Sequence, residues 1–181
     1  MDIRIIRTKK MINDALLELI REKPIEKITP TELCRRATIN RNTFYSHYSS
    51  TAEVLEGIED ELFNTVDESL NESKTPTEAI TILCKMLKAN QKLSNLLFSK
   101  NAGARIMKRV FDITNKFNMN KMNTQENNLS DTFKQMLSSY TIMGSAAALE
   151  CWVKNGMNEK PEDIAEFIFN ISKYGSSAVT K

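Results

Sequence analysis

The chain has 181 residues, 41% of them hydrophobic, with only 5 Gly and 4 Pro, which excludes disordered and collagen-like classes and leaves room for a real core. Its 3 cysteines are odd in number and its net charge is only +2, so neither a disulfide framework, a zinc cluster nor a strongly basic binding tail is indicated. The one histidine, His47, and the want of a glycine-rich phosphate loop exclude a hydrolytic triad and a nucleotide loop, so no catalytic residue, metal or cofactor is expected.

Apolar residues recur at spacings of three and four with no lasting strand alternation, which predicts an all-α chain of about nine helices. The first runs from about Arg4 to Glu22, with Ile12, Ala15, Leu16, Leu19 and Ile20 inward and a basic start of Arg4, Arg7, Lys9 and Lys10. Lys23 and Pro24 end it, and Ile25 and Ile28 turn back towards the core. Thr29, Pro30 and Glu32 then form a helix start: the Thr hydroxyl can accept from the third amide, Glu32 can reach back, and proline suits the first position. Leu33, Cys34 and Ala37 give this second helix one apolar edge, with Arg35 and Arg36 turned away. After Thr38 and Ile39, Asn40 can cap a third helix anchored by Phe44 and Tyr48, with Ile39 beside them. Its remaining side chains, Arg41, Asn42, Thr43, Tyr45, Ser46 and His47, are all hydrogen-bonding types without a single acid, which suits an element entering the major groove. Charge is distributed to match: residues 1–50 carry 10 basic against 6 acidic side chains and residues 51–75 carry 1 against 8, so acids begin where DNA contact should end.

Thr43, Phe44, Tyr45, Ser46, His47 and Tyr48 follow, in order, the end of the recognition helix of the TetR/AcrR family of transcriptional regulators, and the stretch from about residue 4 to 60 resembles that family's helix-turn-helix domain. Two positions depart from the pattern. Thr38 stands where the turn usually carries glycine, so its backbone must avoid positive φ or tolerate strain. Thr51 stands where a lysine usually contacts phosphate, leaving a hydroxyl or the helix-start amides for that task. The resemblance implies a DNA-binding set of Arg4, Arg7, Thr29, Thr31, Arg41, Asn42, Thr43, Tyr45, Ser46, His47, Tyr48 and Thr51. It also implies a three-helix DNA-binding domain over residues 1–49 and a helical effector-binding and dimerisation domain over residues 50–181.

Ser50 and Glu53 cap a long fourth helix to about Leu70, with Val54, Leu55, Ile58, Leu62, Phe63 and Val66 inward and Glu56, Glu59, Asp60 and Glu61 towards water. Tilting this helix would change the separation of two recognition helices in a dimer, which must match half-sites about one DNA turn apart. Thr75, Pro76 and Glu78 repeat the cap chemistry and open a helix to about Asn90, with Ile80, Leu83, Cys84 and Leu87 inward. Residues 92–99 form a short helix, Asn101 to Gly103 break it, and another helix runs from Ala104 to about Phe117. The stretch from Asn118 to Asn128 is expected as a mobile loop. The last two helices, about Ser130 to Asn155 and Pro161 to Tyr174, are apolar on more than one face. Two chains are therefore expected to pair through them as a four-helix bundle, with Gly144, Ala148, Trp152, Phe167, Ile168 and Ile171 at the seam.

Met86, Met107, Phe111, Met136, Tyr140 and Met143 supply soft or aromatic surface suited to a small, largely apolar effector, although plain helix-bundle core explains each alone. The cysteines read as small core residues in a reducing cytosol. No apolar run approaches membrane-spanning length and MDIRIIRTKK lacks a signal segment, so the protein is expected in the cytoplasm and off the membrane. The function expected is a homodimeric regulator, a repressor released from a near-palindromic double-stranded operator by an effector; the alternative keeps the DNA reader and docks a protein partner on the larger domain.

Overall fold

The structure, a computed structural model, describes residues 3–99, 103–124 and 129–177. Among these residues all regular elements are helical: α1 (Ile3–Glu22), a 3-10 turn (Ile25–Lys27), α2 (Pro30–Ala37), α3 (Arg41–Tyr45), α4 (Thr51–Glu72), α5 (Pro76–Ala89), α6 (Gln91–Leu97), α7 (Gly103–Thr124), α8 (Asp131–Lys154) and α9 (Pro161–Ser177). None of them is long and apolar enough to cross a membrane. Two compact units result, one formed by Met1–Leu62 with Lys92–Ile106 and the other by Phe63–Gln91 with Met107–Lys181.

The core of the first unit follows from the helix periodicities. Ile12, Leu16, Leu19, Leu33 and Phe44 are all fully buried, and the stripe Val54, Leu55, Ile58 and Leu62 adds the first half of α4. Charges clamp the surface of this core. Arg36 donates to both carboxylate oxygens of Glu22, at 2.9 and 3.2 Å, tying α2 to α1, and Lys92 of α6 lies 2.8 Å from Glu18. Glu59, expected to face water, is buried instead and accepts from Arg105; a carboxylate held off water in this way requires such a partner. Between α6 and α7 a side chain at Gly103 would collide with the Leu97 carbonyl, so this position requires glycine.

In the second unit α5 packs against α9 and α8, with Ala79, Cys84, Leu87, Trp152, Val153, Ala165 and Ile168 buried. Trp152 and Ile168, expected at a seam between chains, are thus part of the core of their own chain. Burial pushes the Cys84 thiol up to about 12, with the Glu162 charge adding to it, so it stays protonated and inert. Cys34 is buried as well, whereas Cys151 is exposed rather than a core residue. Residues 118–124, expected in a loop, continue α7 to Thr124; the rest of that expected loop, residues 125–128, lies outside the described residues. Tertiary contact overrides the weak helix propensity of asparagine here: Asn118 donates to Ser138 at 3.4 Å and Ser138 donates to Asn115 at 2.7 Å, fastening α7 to α8.

Candidate nucleic-acid interface

Each helix of the helix-turn-helix starts on a local bond that the sequence specifies. The Thr29 hydroxyl accepts from the Glu32 amide at 3.2 Å, and the Asn40 side chain accepts from the Asn42 amide at 2.8 Å. Glu32 does less capping than its position suggests. Its carboxylate accepts from Lys23 at 2.6 Å, and this bond, more than the Thr29 amide, holds its pKa below the usual carboxylate range. The joint between the helices is a left-handed cap: Thr38 sits at φ 55, ψ 43, while the Thr38 and Ile39 amides bond back to Arg35 and Cys34 at 3.3 and 3.0 Å. This is the Schellman arrangement usually closed by glycine, and threonine adopts it with the strain of a β-branched residue at positive φ.

Phe44 is the anchor of α3, fully buried, with the Tyr45 ring edge-on at 5.3 Å and the Tyr48 ring at 6.1 Å. The α-helix itself ends at Tyr45, before the expected anchor Tyr48, but the His47 and Tyr48 amides still bond to the Phe44 carbonyl at 2.9 and 3.0 Å. The row from 41 to 48 is therefore one rigid surface. Arg41, Asn42, Tyr45 and Ser46 are exposed on it, while Thr43, His47 and Tyr48 are half-buried. The Arg41 guanidinium lies 5.8 Å from the centre of the Tyr45 ring, and the Lys9 ammonium lies 5.8 Å from that of Tyr48. Burial, aided by the Glu53 and Glu61 charges, raises the Tyr48 pKa, so its hydroxyl remains a donor at neutral pH.

Arg4, Arg7, Thr29 and Thr31 are exposed as well. Thr51 is not. It is buried, and its hydroxyl donates to the Ile28 carbonyl at 3.1 Å, so its side chain is turned away from any phosphate and ties α4 to the strand of chain before α2. Beside it Glu53 accepts from the Ser49 amide and hydroxyl at 2.5 and 2.6 Å, while its own amide donates to Ser50 at 3.1 Å. The capping box expected at Ser50 forms, with Glu53 reaching one residue further back.

In the second unit Met86, Met107 and Phe111 are half-buried. Met136, Tyr140 and Met143 are 61, 70 and 59% exposed and so do not line an interior. A cleft of about 290 Å³ is lined by Thr65, Glu68, Ser69, Glu72, Ser73, Glu78 and Ile82, none of which belongs to the six effector candidates. Of the seam candidates Gly144, Phe167 and Ile171 are exposed and Ala148 is half-buried. Phe133 and Tyr174, 60 and 68% exposed, were not among the candidates; the spacing Phe133, Met136, Tyr140, Met143 places these exposed residues on one face of α8, but the rest of α8 is apolar enough to mask it.

A family model described as a transcriptional regulator C-terminal region, TetR_C_8, matches residues 74–174, more than half of the chain. An uncharacterised HTH-type transcriptional regulator, YxbF, of Bacillus subtilis (strain 168) is 36% identical over 56 residues, which is 30% of this chain and only 15% of that relative's length. The fold is similar to that of the TetR transcriptional regulator of Streptococcus agalactiae 2603V, with a TM-score of 0.64 at 21% identity, covering 93% of this chain and 95% of that one. It is also similar to the transcriptional regulator FadR of Bacillus subtilis in complex with stearoyl-CoA, with a TM-score of 0.61 at 15% identity over 90% of this chain and 96% of that one. With an all-α fold, a capped helix-turn-helix and a family match across its C-terminal half, the chain belongs to the TetR family of transcriptional regulators.

Proposed function

We propose that the chain is a homodimeric DNA-binding regulator that represses from a near-palindromic operator and is released by a small, largely apolar effector. The observation that carries the DNA part is the outward, acid-free row Arg41, Asn42, Tyr45 and Ser46, held rigid by the buried Phe44 and by a cap at each helix start. Such a row can place hydrogen-bonding groups against base edges without meeting phosphate repulsion. Half-buried Thr43, His47 and Tyr48 border it, and exposed Arg4, Arg7, Thr29 and Thr31 are assigned to the DNA backbone. We assign DNA binding to residues 1–49 and effector binding and dimerisation to residues 50–181, with the first half of α4 and Lys92–Ile106 packing into the first compact unit.

Dimerisation is supported by the exposed stripe Phe133, Met136, Tyr140, Met143 and Gly144 on α8 and by Phe167, Ile171 and Tyr174 on α9. Each stripe keeps the three- and four-residue spacing of a single helix face, and contiguous apolar surface of this kind marks an association site. For the effector, Met86, Met107 and Phe111 remain the candidates, because partial burial leaves soft side chains that can repack around an apolar guest. The FadR neighbour holds stearoyl-CoA, which makes long-chain acyl-CoA the first probe. An effector that tilts α4, one unbroken helix from Thr51 to Glu72, would change the spacing of the two reading rows.

The test is selection of bound duplexes from genomic fragments, followed by titration of Arg41→Ala and Tyr45→Ala against the recovered site. Each variant should lose about tenfold or more in affinity, the cost of one good base or phosphate contact, with helicity and assembly mass unchanged. Retained affinity in both variants would move the reading surface elsewhere.

A further inference from the structure

Met107, Phe111, Asn115 and Asn118 follow one another at spacings of four, four and three, so they share one face of α7, and all four are half-buried. The polar end of that face meets α8 at Ser138, which is only 1% exposed. A serine hydroxyl has a single hydrogen. Ser138 donates it to Asn115 Oδ1 at 2.7 Å, so it can only accept from Asn118, whose Nδ2 donates to it at 3.4 Å. This order fixes both amides and leaves Asn115 Nδ2 and Asn118 Oδ1 without a hydrogen-bond partner among the described residues. Neither atom is sealed inside the protein. Charge is kept off the same seam: Lys108, Arg109, Asp112 and Lys116 of α7 are exposed, and from Gln135 to Leu149 α8 has no charged side chain. Lys134, one turn before Ser138, has its ammonium 3.2 Å from Asn123 Oδ1 and 3.8 Å from the Asp131 carboxylate.

We propose that Asn115 and Asn118 read the head group of the effector, and that this head is a neutral carbonyl group, a carboxamide above all, on an aliphatic chain lying along Met107 and Phe111. The inference rests on the apolar-effector reading above and adds the chemistry of its polar end. An apolar strip that ends in a few placed polar groups is the usual make-up of a ligand site. The Asn115 amide donates to the carbonyl oxygen of the head, and the Asn118 oxygen accepts from its N–H, so a carboxamide satisfies both. A carboxylate takes the first bond but brings no proton to the Asn118 oxygen, and it enters a seam with no free cation to offset its lost hydration. An ammonium uses only the Asn118 oxygen and leaves the Asn115 donors unpaired.

The experiment titrates the full chain with decanamide, decanoate and decylamine, probes of one chain length that differ in head charge, by isothermal titration calorimetry at neutral pH and below micelle formation. Decanamide should bind about tenfold more tightly than either charged probe, the usual cost of leaving one hydrogen-bonding group unpaired. Asn115→Asp keeps an oxygen for the Ser138 hydroxyl but replaces the donor with a negative charge. It should lose about tenfold in affinity for decanamide and bind decylamine in preference to the other two. Asn118→Ala leaves the bond between Ser138 and Asn115 in place and gives a second arm, in which decanamide affinity should fall towards that of decanoate. Equal affinity of the parent chain for all three probes, or a preference for a charged one, would overturn the head-group assignment while leaving an apolar effector standing. A decanamide preference that survives in both variants overturns it too, because the head then sits away from this seam. Failure of the parent chain to bind any of the three removes the apolar-effector reading itself, and this inference with it.

Discussion

In the first unit the large side chains on the helix faces are turned inward by the chain's own packing: Ile12, Leu16, Leu19, Leu33 and Phe44 are buried completely. In the second, α8 and α9 bury Trp152 and Ile168 but leave Phe133, Tyr140, Phe167 and Tyr174 between 55 and 70% exposed. Both units obey the same helix periodicity, yet among the described residues the first exposes large apolar side chains only at the start of α1 and at Tyr45, whereas the second exposes them along whole faces of α8 and α9. The contrast separates two kinds of apolar residue. A reader of base edges needs a core complete within one chain, whereas in the proposed dimer the apolar stripe on two neighbouring helices is the surface that a second copy would cover.

Truncation should expose that difference most strongly. Phe44→Ala is expected to destabilise the first unit by about 3–5 kcal/mol, the usual cost of emptying a buried aromatic site, read as a lower urea midpoint together with loss of DNA binding. Tyr140→Ala, made at a residue 70% exposed, should leave the urea midpoint of dilute protein within about 0.5 kcal/mol of its starting value, as for other surface substitutions. It should instead weaken association. Equal destabilisation of both variants at high dilution would erase the contrast between a closed core and an open one.

A smaller effect sharpens the same point from the other side. A Cβ added at Gly144 meets nothing within 4 Å in a single chain, so Gly144→Leu should fold normally. At a helix seam the added side chain would overpack a close approach at about 1–3 kcal/mol, shifting the assembly towards monomer in sedimentation equilibrium while far-UV circular dichroism stays constant. An unaltered mass distribution would place the pairing surface away from this part of α8.

Much of the first unit was legible in the sequence because its signals are local. Thr29, Asn40 and Ser50 cap helices through bonds to amides two or three residues away, and Leu33, Cys34 and Ala37 share one edge that is buried as spaced. Thr51 and Glu59 were misread because their partners, Ile28 and Arg105, lie 23 and 46 residues away in the chain, beyond the reach of any window. The second unit was less legible for a different reason. Where a helix is apolar on two faces, periodicity finds both but cannot say which is inward, so Trp152 and Ile168 were placed at the seam and Met136, Tyr140 and Met143 inside. The end of α7 was lost to its asparagines, whose low helix propensity is offset by the bonds that Asn115 and Asn118 make with Ser138.

The joint of the reader offers a gain rather than a loss. A non-glycine residue at positive φ costs of order 1–3 kcal/mol, and glycine returns part of that through its greater freedom in the unfolded chain. Thr38→Gly should therefore stabilise the first unit by about 1 kcal/mol, seen as a raised urea midpoint with an unchanged slope. The Arg35 and Cys34 carbonyls keep their bonds to residues 38 and 39, so affinity for the selected duplex should hold. A lowered midpoint would show that the Thr38 side chain contributes more than its backbone strain removes.

The smallest effect lies with two half-buried carboxylates near helix starts, Glu32 and Glu53, and its sign is fixed by their depressed pKa values. The Ser49 hydroxyl and amide hold Glu53 below the usual carboxylate range, and the Lys23 ammonium does the same for Glu32. Both groups titrate at the ordinary value when unfolded, so the unfolded chain binds these protons more readily and stability falls as pH drops. The contribution is fully present above the unfolded carboxylate pKa and is lost as pH falls through the depressed folded values, below about pH 4. Glu53→Gln removes the charge but keeps an oxygen acceptor for Ser49. It should therefore be less stable than the parent chain at neutral pH, with the two unfolding curves converging in acid; a gap that stays constant down to pH about 3 would assign the role of Glu53 to packing and hydrogen-bond geometry instead of to its charge.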